Sequence, residues 1–276
     1  MIDKPDLKFT AIPAVNQVKN ALNYSPGYVY KIKVTFSASL VCQSAMMNLH
    51  LNHLLRATLQ VIYPERCCIC EGDLVRGEHH VCTACAFDLP YITGNAQDVT
   101  KLGKLFWGRV EIQQVHSLFN YQKGNHVQTI LHAIKYKSRP RIATHFGKVL
   151  ARSMPVNAGF SCIIPVPLHP KKERQRGFNQ SQAIADGLSE VLSIPLYNKH
   201  VIRNAFNESQ TKFSKYDRYE NVRSIFTVIQ AKALENQHIL LVDDVLTTGA
   251  TIEACAAAFL TIPGCKVSIA TLAARV

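Results

Sequence analysis

Four apolar residues, Ile239-Leu240-Leu241-Val242, run straight into the carboxylates Asp243-Asp244. Two residues later the chain enters the small, hydroxyl-rich turn Thr247-Thr248-Gly249-Ala250-Thr251. No other stretch restricts the fold as much. An unbroken apolar tetrad suits a strand buried on both faces, the signature of a parallel sheet covered by helices. The turn opens a helix, which leaves the two carboxylates at the C-terminal edge of the sheet, where open α/β folds place their ligand crevice. The turn presents consecutive backbone N–H groups at a helix N-terminus, with threonine hydroxyls beside them, and Gly249 lets the backbone approach closely. This is the chemistry of a monophosphate cradle. Carboxylates touching a phosphate would repel it, so Asp243 and Asp244 suit sugar hydroxyls or the second shell of a hydrated Mg²⁺. A Walker-type loop is excluded, since no G-x-x-x-x-G-K-[ST] occurs.

The rest of the chain repeats the alternation. Strands are expected over 115–121, 162–166, 239–242 and 267–272, and helices over 127–136, 142–154, 180–192 and 250–260. Strands separated by such helices imply βαβ units and an α/β fold with a parallel sheet. With 276 residues, 47% hydrophobic and 18% charged, the chain can bury a sizeable core, which excludes wholesale disorder. The longest apolar runs, about ten residues at 34–42 and 254–262, are too short for a membrane span. The formal charge of +12 favours polyanions or phosphorylated ligands. Residues 1–45 show no sustained period and are expected to be a disordered extension or the product of a start codon assigned too early. Leu49, Leu51, Leu54, Leu55, Leu59 and Ile62 then follow helical spacing until Pro64. The division expected is 1–45, a helix with a cysteine module at 46–92, a polar connector with Trp107 at 93–114, and the α/β domain at 115–276.

Nine cysteines do not form a disulfide framework. Cys67-x-x-Cys70 and Cys82-x-x-Cys85, eleven residues apart, read as two knuckles closing a tetrahedral thiolate site around structural Zn²⁺ in a reducing, cytoplasmic setting. The segment is too short to bury a core, so the metal supplies its folding energy. Cys68 has the wrong spacing to pair with Cys70. His79 and His80, between the knuckles, could substitute for one thiol but read better as exposed loop residues, and Cys42, Cys162, Cys255 and Cys265 as small packing residues.

Residues 239–251 resemble the phosphoribosyl-pyrophosphate signature of the type I phosphoribosyltransferases: four apolar residues, two acids, then V-x-T-T-G-x-T. Together with Pro165-Val166-Pro167-Leu168-His169-Pro170-Lys171-Lys172, the run Arg176-Gly177-Phe178-Asn179-Gln180-Ser181 and the cysteine module, the chain over about 47–276 resembles the ComF family, also called GntX-like proteins. The resemblance implies a small zinc-ribbon head before a type I phosphoribosyltransferase-like sheet flanked by helices, and a link to DNA uptake in natural transformation. It assigns phosphoribosyl pyrophosphate, with Mg²⁺, to Asp243, Asp244, Thr247, Thr248, Gly249, Ala250 and Thr251. The turn at 165–172 corresponds to the pyrophosphate loop, with Lys171, Lys172, Arg174 and Arg176 as its cations. The stretch 210–223 corresponds to the mobile flap, with Arg218 and Arg223.

A second basic cluster, Lys135-Tyr136-Lys137 with Arg139, reads equally as a site for single-stranded nucleic acid and as cations opposing a helix dipole. Three functions stay open at this stage. One is phosphoribosyl transfer to an unidentified acceptor by displacement of pyrophosphate, which needs positioning and charge rather than a protein nucleophile. The second is a catalytically inactive single-stranded-DNA-binding protein regulated by phosphoribosyl pyrophosphate. The third is an adaptor whose zinc head docks DNA-uptake proteins.

Overall fold

The computed structural model describes residues 65–92, 101–137, 139–155, 158–204 and 225–275. The expectations for 1–45, for the helix before Pro64, for Cys42, and for Arg218 and Arg223 lie outside the described residues.

Four parallel strands form the central sheet: β1 (Val115–Asn120), β2 (Cys162–Pro165), β5 (His238–Leu246) and β6 (Lys266–Ala274), in the spatial order β1-β6-β5-β2. β5 is central, and its apolar run feeds two layers by strict alternation. Leu240 and Val242 join one apolar cluster, with α2 (His126–Tyr136), α3 (Pro140–Ser153) and α5 (Gln180–Leu192). Ile239 and Leu241 join the opposite cluster, with α6 (Ala250–Leu260). A strand with helices on both faces has no polar side, which is why its sequence reads as an unbroken apolar run.

α5, which lies after β2, packs on one face and α6, which follows β5, packs on the other. α5 contributes Ala183, Ile184 and Leu188 to the first layer, whereas α6 contributes Ile252, Cys255 and Phe259 to the second. The chain therefore leaves the C-terminal ends of β2 and β5 in opposite directions. Such divergence opens a crevice at that sheet edge. α3 and α5 cross at very short range. A Cβ on Gly147 would lie 2.3 Å from the Ile184 carbonyl oxygen, and one on Gly187 would lie 2.2 Å from that of Thr144. Only glycine fits at this crossing.

Several elements differ from the expectation. β5 continues past Val242 to Leu246, so both carboxylates sit within the strand. Asp243 pairs in register with Thr271 of β6, a neighbour that keeps the strand extended. Lys171, Lys172 and Arg174 lie on a seven-residue helix, α4 (Pro170–Arg176), rather than in a loop; His169 caps it by accepting from the Lys171 N–H. The connector is less polar than its composition suggests: Leu102 and Phe106 are both 1% exposed and belong to the α6-side core. The antiparallel pair β3 (Val201–Arg203) and β4 (Phe226–Val228) brackets the stretch corresponding to the flap. A short helix, α1 (Thr83–Phe87), completes the cysteine module. Among the described residues no helix is long and apolar enough to cross a membrane.

Candidate functional site

The sulfur atoms of Cys67, Cys70, Cys82 and Cys85 all lie within 4.8 Å of one another. Cys70 Sγ and Cys82 Sγ are 3.8 Å apart. With Zn–S bonds of about 2.3 Å, the edge of a regular tetrahedron is about 3.8 Å, so the sulfurs are spaced to hold zinc. Backbone N–H groups of Ile69 and Cys82 donate to Cys67 Sγ at 3.5 and 3.4 Å, and that of Cys85 donates to Cys82 Sγ at 3.5 Å. Burial raises the Cys67 thiol, but the backbone N–H groups of Cys70, Cys82 and Ile69, with the Cys70 side chain, bring it down to about 7, which favours the thiolate a metal needs. Cys68 is buried with its thiol pushed up to about 11 by burial, consistent with packing. Cys162, Cys255 and Cys265 are buried as well. His80 is half-buried rather than exposed, with its ring edge-on to His145 of α3 at 5.5 Å. Cys67, Val81, Cys85 and Leu89 belong to the same apolar cluster as Phe119 and Phe146. The module therefore shares a core with the sheet.

The second centre lies at the C-terminal end of β5. Asp244 is 8% exposed, and its Oδ2 is 2.8 Å from Lys135 Nζ of α2. Asp243 Oδ1 accepts from the Ser181 hydroxyl and from the Asp244 N–H, both at 2.9 Å. Burial, and then the neighbouring Asp244 charge, push the Asp243 carboxyl up to about 7, against the pull of its donors and Lys135. The two acids thus sit in different settings, Asp244 against the Lys135 ammonium and Asp243 on a hydroxyl and a peptide N–H.

Beyond them, residues 243 and 245–252 line a recess of about 30 Å³, suited to a single small group and too small for a ring. Gly249 holds φ +78°, and its missing Cβ leaves room for Phe106, whose Cε1 would otherwise be 3.1 Å away. The left-handed turn aims the following peptide groups into the N-terminus of α6, where N–H donors and the helix dipole favour an anion. Thr247, Thr248 and Thr251 remain exposed at its rim.

The R-G-F-N-Q-S run is the hinge of this arrangement. Gly177 ends α4 at φ +79°, and the Asn179 side chain caps α5 while its Nδ2 donates to the Val166 carbonyl at 3.0 Å. Arg176 donates to Gln180 Oε1 at 2.8 Å and stands 5.8 Å over the Tyr136 ring. Lys171, Lys172 and Arg174 are exposed on α4, separate in environment from the half-buried Arg176.

The cluster read as a nucleic-acid surface is divided. Lys135 turns inward to Asp244 and is not part of an exposed patch; Lys137 pairs with Glu71 at 3.6 Å. Tyr136 is 62% exposed. Arg139 lines a separate cavity of about 490 Å³ with Arg66, His80 and Arg141. Sequence reading missed Ser181 and Phe106 as parts of the site, and also Arg109, which binds the Thr248 carbonyl at 3.2 Å and pairs with Glu253. Ser181 carries a signal, one position beyond a capped helix start beside a carboxylate strand. Phe106 and Arg109 carry none, because they approach from a distant segment.

Comparison with solved structures finds similar folds at low identity. Glutamine phosphoribosylpyrophosphate (PRPP) amidotransferase from B. subtilis, complexed with ADP and GMP, is 19% identical over 51% of this chain, with a TM-score of 0.39. This chain spans 30% of the length of that one. A purine phosphoribosyltransferase from Pyrococcus horikoshii Ot3 is 18% identical over 47% of this chain and 72% of its own, with a TM-score of 0.32. A hypothetical protein from Neisseria gonorrhoeae with bound ppGpp is 19% identical over 49% of this chain and 69% of its own, with a TM-score of 0.31. No curated protein matches. Residues 181–276, which begin at the serine that holds Asp243 and include β6, match the family model of the phosphoribosyl transferase domain.

Proposed function

We propose that this chain binds phosphoribosyl pyrophosphate with Mg²⁺ at the C-terminal end of β5 and is phosphoribosyltransferase-like in function. The observation that carries the reading is the recess at the α6 N-terminus, directly beyond the acidic pair. The 5′-phosphate sits in the Thr247–Thr251 loop, and Asp243 and Asp244 hold the ribose hydroxyls. Mg²⁺ supplies charge to the departing pyrophosphate when bound. With Lys135 on Asp244, the donor set suits a metal reached through ligand oxygens and water better than one bound directly by both carboxylates. By resemblance, Lys171, Lys172 and Arg174 at the exit of β2, with Arg176, supply the cations for the pyrophosphate, and Arg218 and Arg223 are assigned to the flap.

The chain's work in transfer is positioning. The loop fixes the phosphate end, the acids fix the sugar, and the cations oppose the charge that grows on the leaving group. Resemblance to the ComF family extends the reading to a cytoplasmic role in DNA uptake during natural transformation, with zinc as a structural ion in the head. The matching domain model at 181–276 supports the ligand class and does not bear on the uptake role.

Isothermal titration with phosphoribosyl pyrophosphate and Mg²⁺ tests the reading. Magnesium-dependent binding that is lost in Asp243→Asn supports it, and no binding to the wild-type chain overturns it. Pyrophosphate release in the presence of a panel of acceptor bases and single-stranded DNA then separates a transferase from a binding protein.

A further inference from the structure

We propose that Arg109, which lies outside the matched domain, is a positioning residue for the phosphate recess: it neutralises Glu253 and fixes the peptide that enters the loop. This inference rests on the reading of the recess as a phosphate site.

Glu253 belongs to the first turn of α6, the helix whose N-terminus opens the recess. A carboxylate there is favourable to the helix dipole on its own account, and for the same reason it competes with any anion bound at that end. Arg109 answers this conflict. Its NH2 group pairs with Glu253 Oε2, and its NH1 group donates to the carbonyls of Leu105 at 3.0 Å and Thr248 at 3.2 Å. Three acceptors hold one guanidinium in place, and the cation stands between the acidic side chain and the loop.

The contact with Thr248 has a second consequence. In a planar trans peptide the carbonyl and the next N–H point in opposite directions. Holding the Thr248 oxygen against Arg109 therefore turns the Gly249 N–H to the other side of the loop. The same segment brings Phe106 beneath Gly249. The connector thus supplies both the floor of the loop and the charge beside it. Residues 181–276 contain Glu253 but no residue that does the work of Arg109 among the contacts described.

Binding of ribose 5-phosphate and of inorganic phosphate, measured by isothermal titration on the full chain at low salt, tests the proposal. Arg109→Gln is expected to weaken ribose 5-phosphate about tenfold, equivalent to about 1.4 kcal/mol. Arg109→Lys keeps the charge but loses the fork that spans Thr248 and Glu253, so it recovers only part of the loss and stays about threefold weaker than the wild type. The decisive variant is Arg109→Gln combined with Glu253→Gln. Removing both charges relieves the conflict with Glu253 and recovers about threefold of the tenfold loss, the remainder being the lost hold on the Thr248 carbonyl. Urea midpoints of all variants show whether the fold is intact, and the Lys and double variants carry the test if the single Gln variant is unstable. Unchanged affinity in Arg109→Gln overturns the proposal, as does a double variant no better than the single one. A wild-type chain that binds neither probe overturns the phosphate reading and this inference with it.

Discussion

Replacement of Gly249 separates backbone strain from steric blockage. Its φ of +78° lies in the left-handed region, which costs a residue with a Cβ about 1–2 kcal/mol. The new Cβ would also stand 3.1 Å from Phe106 Cε1 and 3.4 Å from Cζ. Phe106 is 1% exposed and cannot swing aside, so the contact adds an overpacking cost of about 1 kcal/mol. Gly249→Ala is therefore expected to lose about 2–3 kcal/mol. Gly249→Val, with two further methyls beside the aromatic ring, loses about 4 kcal/mol. Gly249→Asn serves as the partition, because asparagine tolerates the left-handed region and retains only the steric part. Urea unfolding followed by circular dichroism gives the stabilities, and titration with ribose 5-phosphate gives the loop's competence. The expected order of damage is Asn, Ala, Val. Asn as damaging as Ala would refute the backbone part, and Val within 0.5 kcal/mol of the wild type, roughly the scatter of neutral surface changes, would refute the whole argument.

Three further outcomes are expected. Purified protein carries one zinc, and chelation lowers the melting temperature of the sheet as well as that of the module, because Cys67, Val81 and Cys85 share a core with Phe119 and Phe146; an unmoved main transition after complete zinc loss would contradict this. Lys135→Met leaves the buried Asp244 carboxylate without its cation and costs about 2–4 kcal/mol in urea unfolding, whereas Lys135→Arg costs less than half as much. Asp243 holds its proton up to about pH 7 in the folded chain and only to about 3.8 when unfolded, so the folded state binds more protons in between. Its contribution to stability is full below about pH 4 and is lost as the pH rises toward 7; Asp243→Asn should flatten urea midpoints compared between pH 5 and 8, and an unchanged slope would refute the assignment.

Part of this was legible without coordinates. The apolar tetrad, the helix periods and the two C-x-x-C pairs depend on local patterns, and they specified a parallel sheet, its flanking helices and a four-sulfur cluster spaced to hold a metal. The turn after Leu246 is local too, since glycine at a left-handed position and threonines at a helix start leave their mark in a few consecutive residues. Tertiary structure decided what the patterns cannot encode. It carried β5 on to Leu246, because pairing with β6 keeps Asp243 extended where the apolar run has already ended. It turned Lys135 from a surface cation into the partner of Asp244, and brought Ser181 to Asp243 across 62 residues. It joined the cysteine module to the main core, and it set Phe106 and Arg109 of an apparently polar connector against the loop at 247–249. Short-range periodicity records which face of an element is apolar; which distant side chain meets that face, and which charge is buried against which, is fixed only when the layers close.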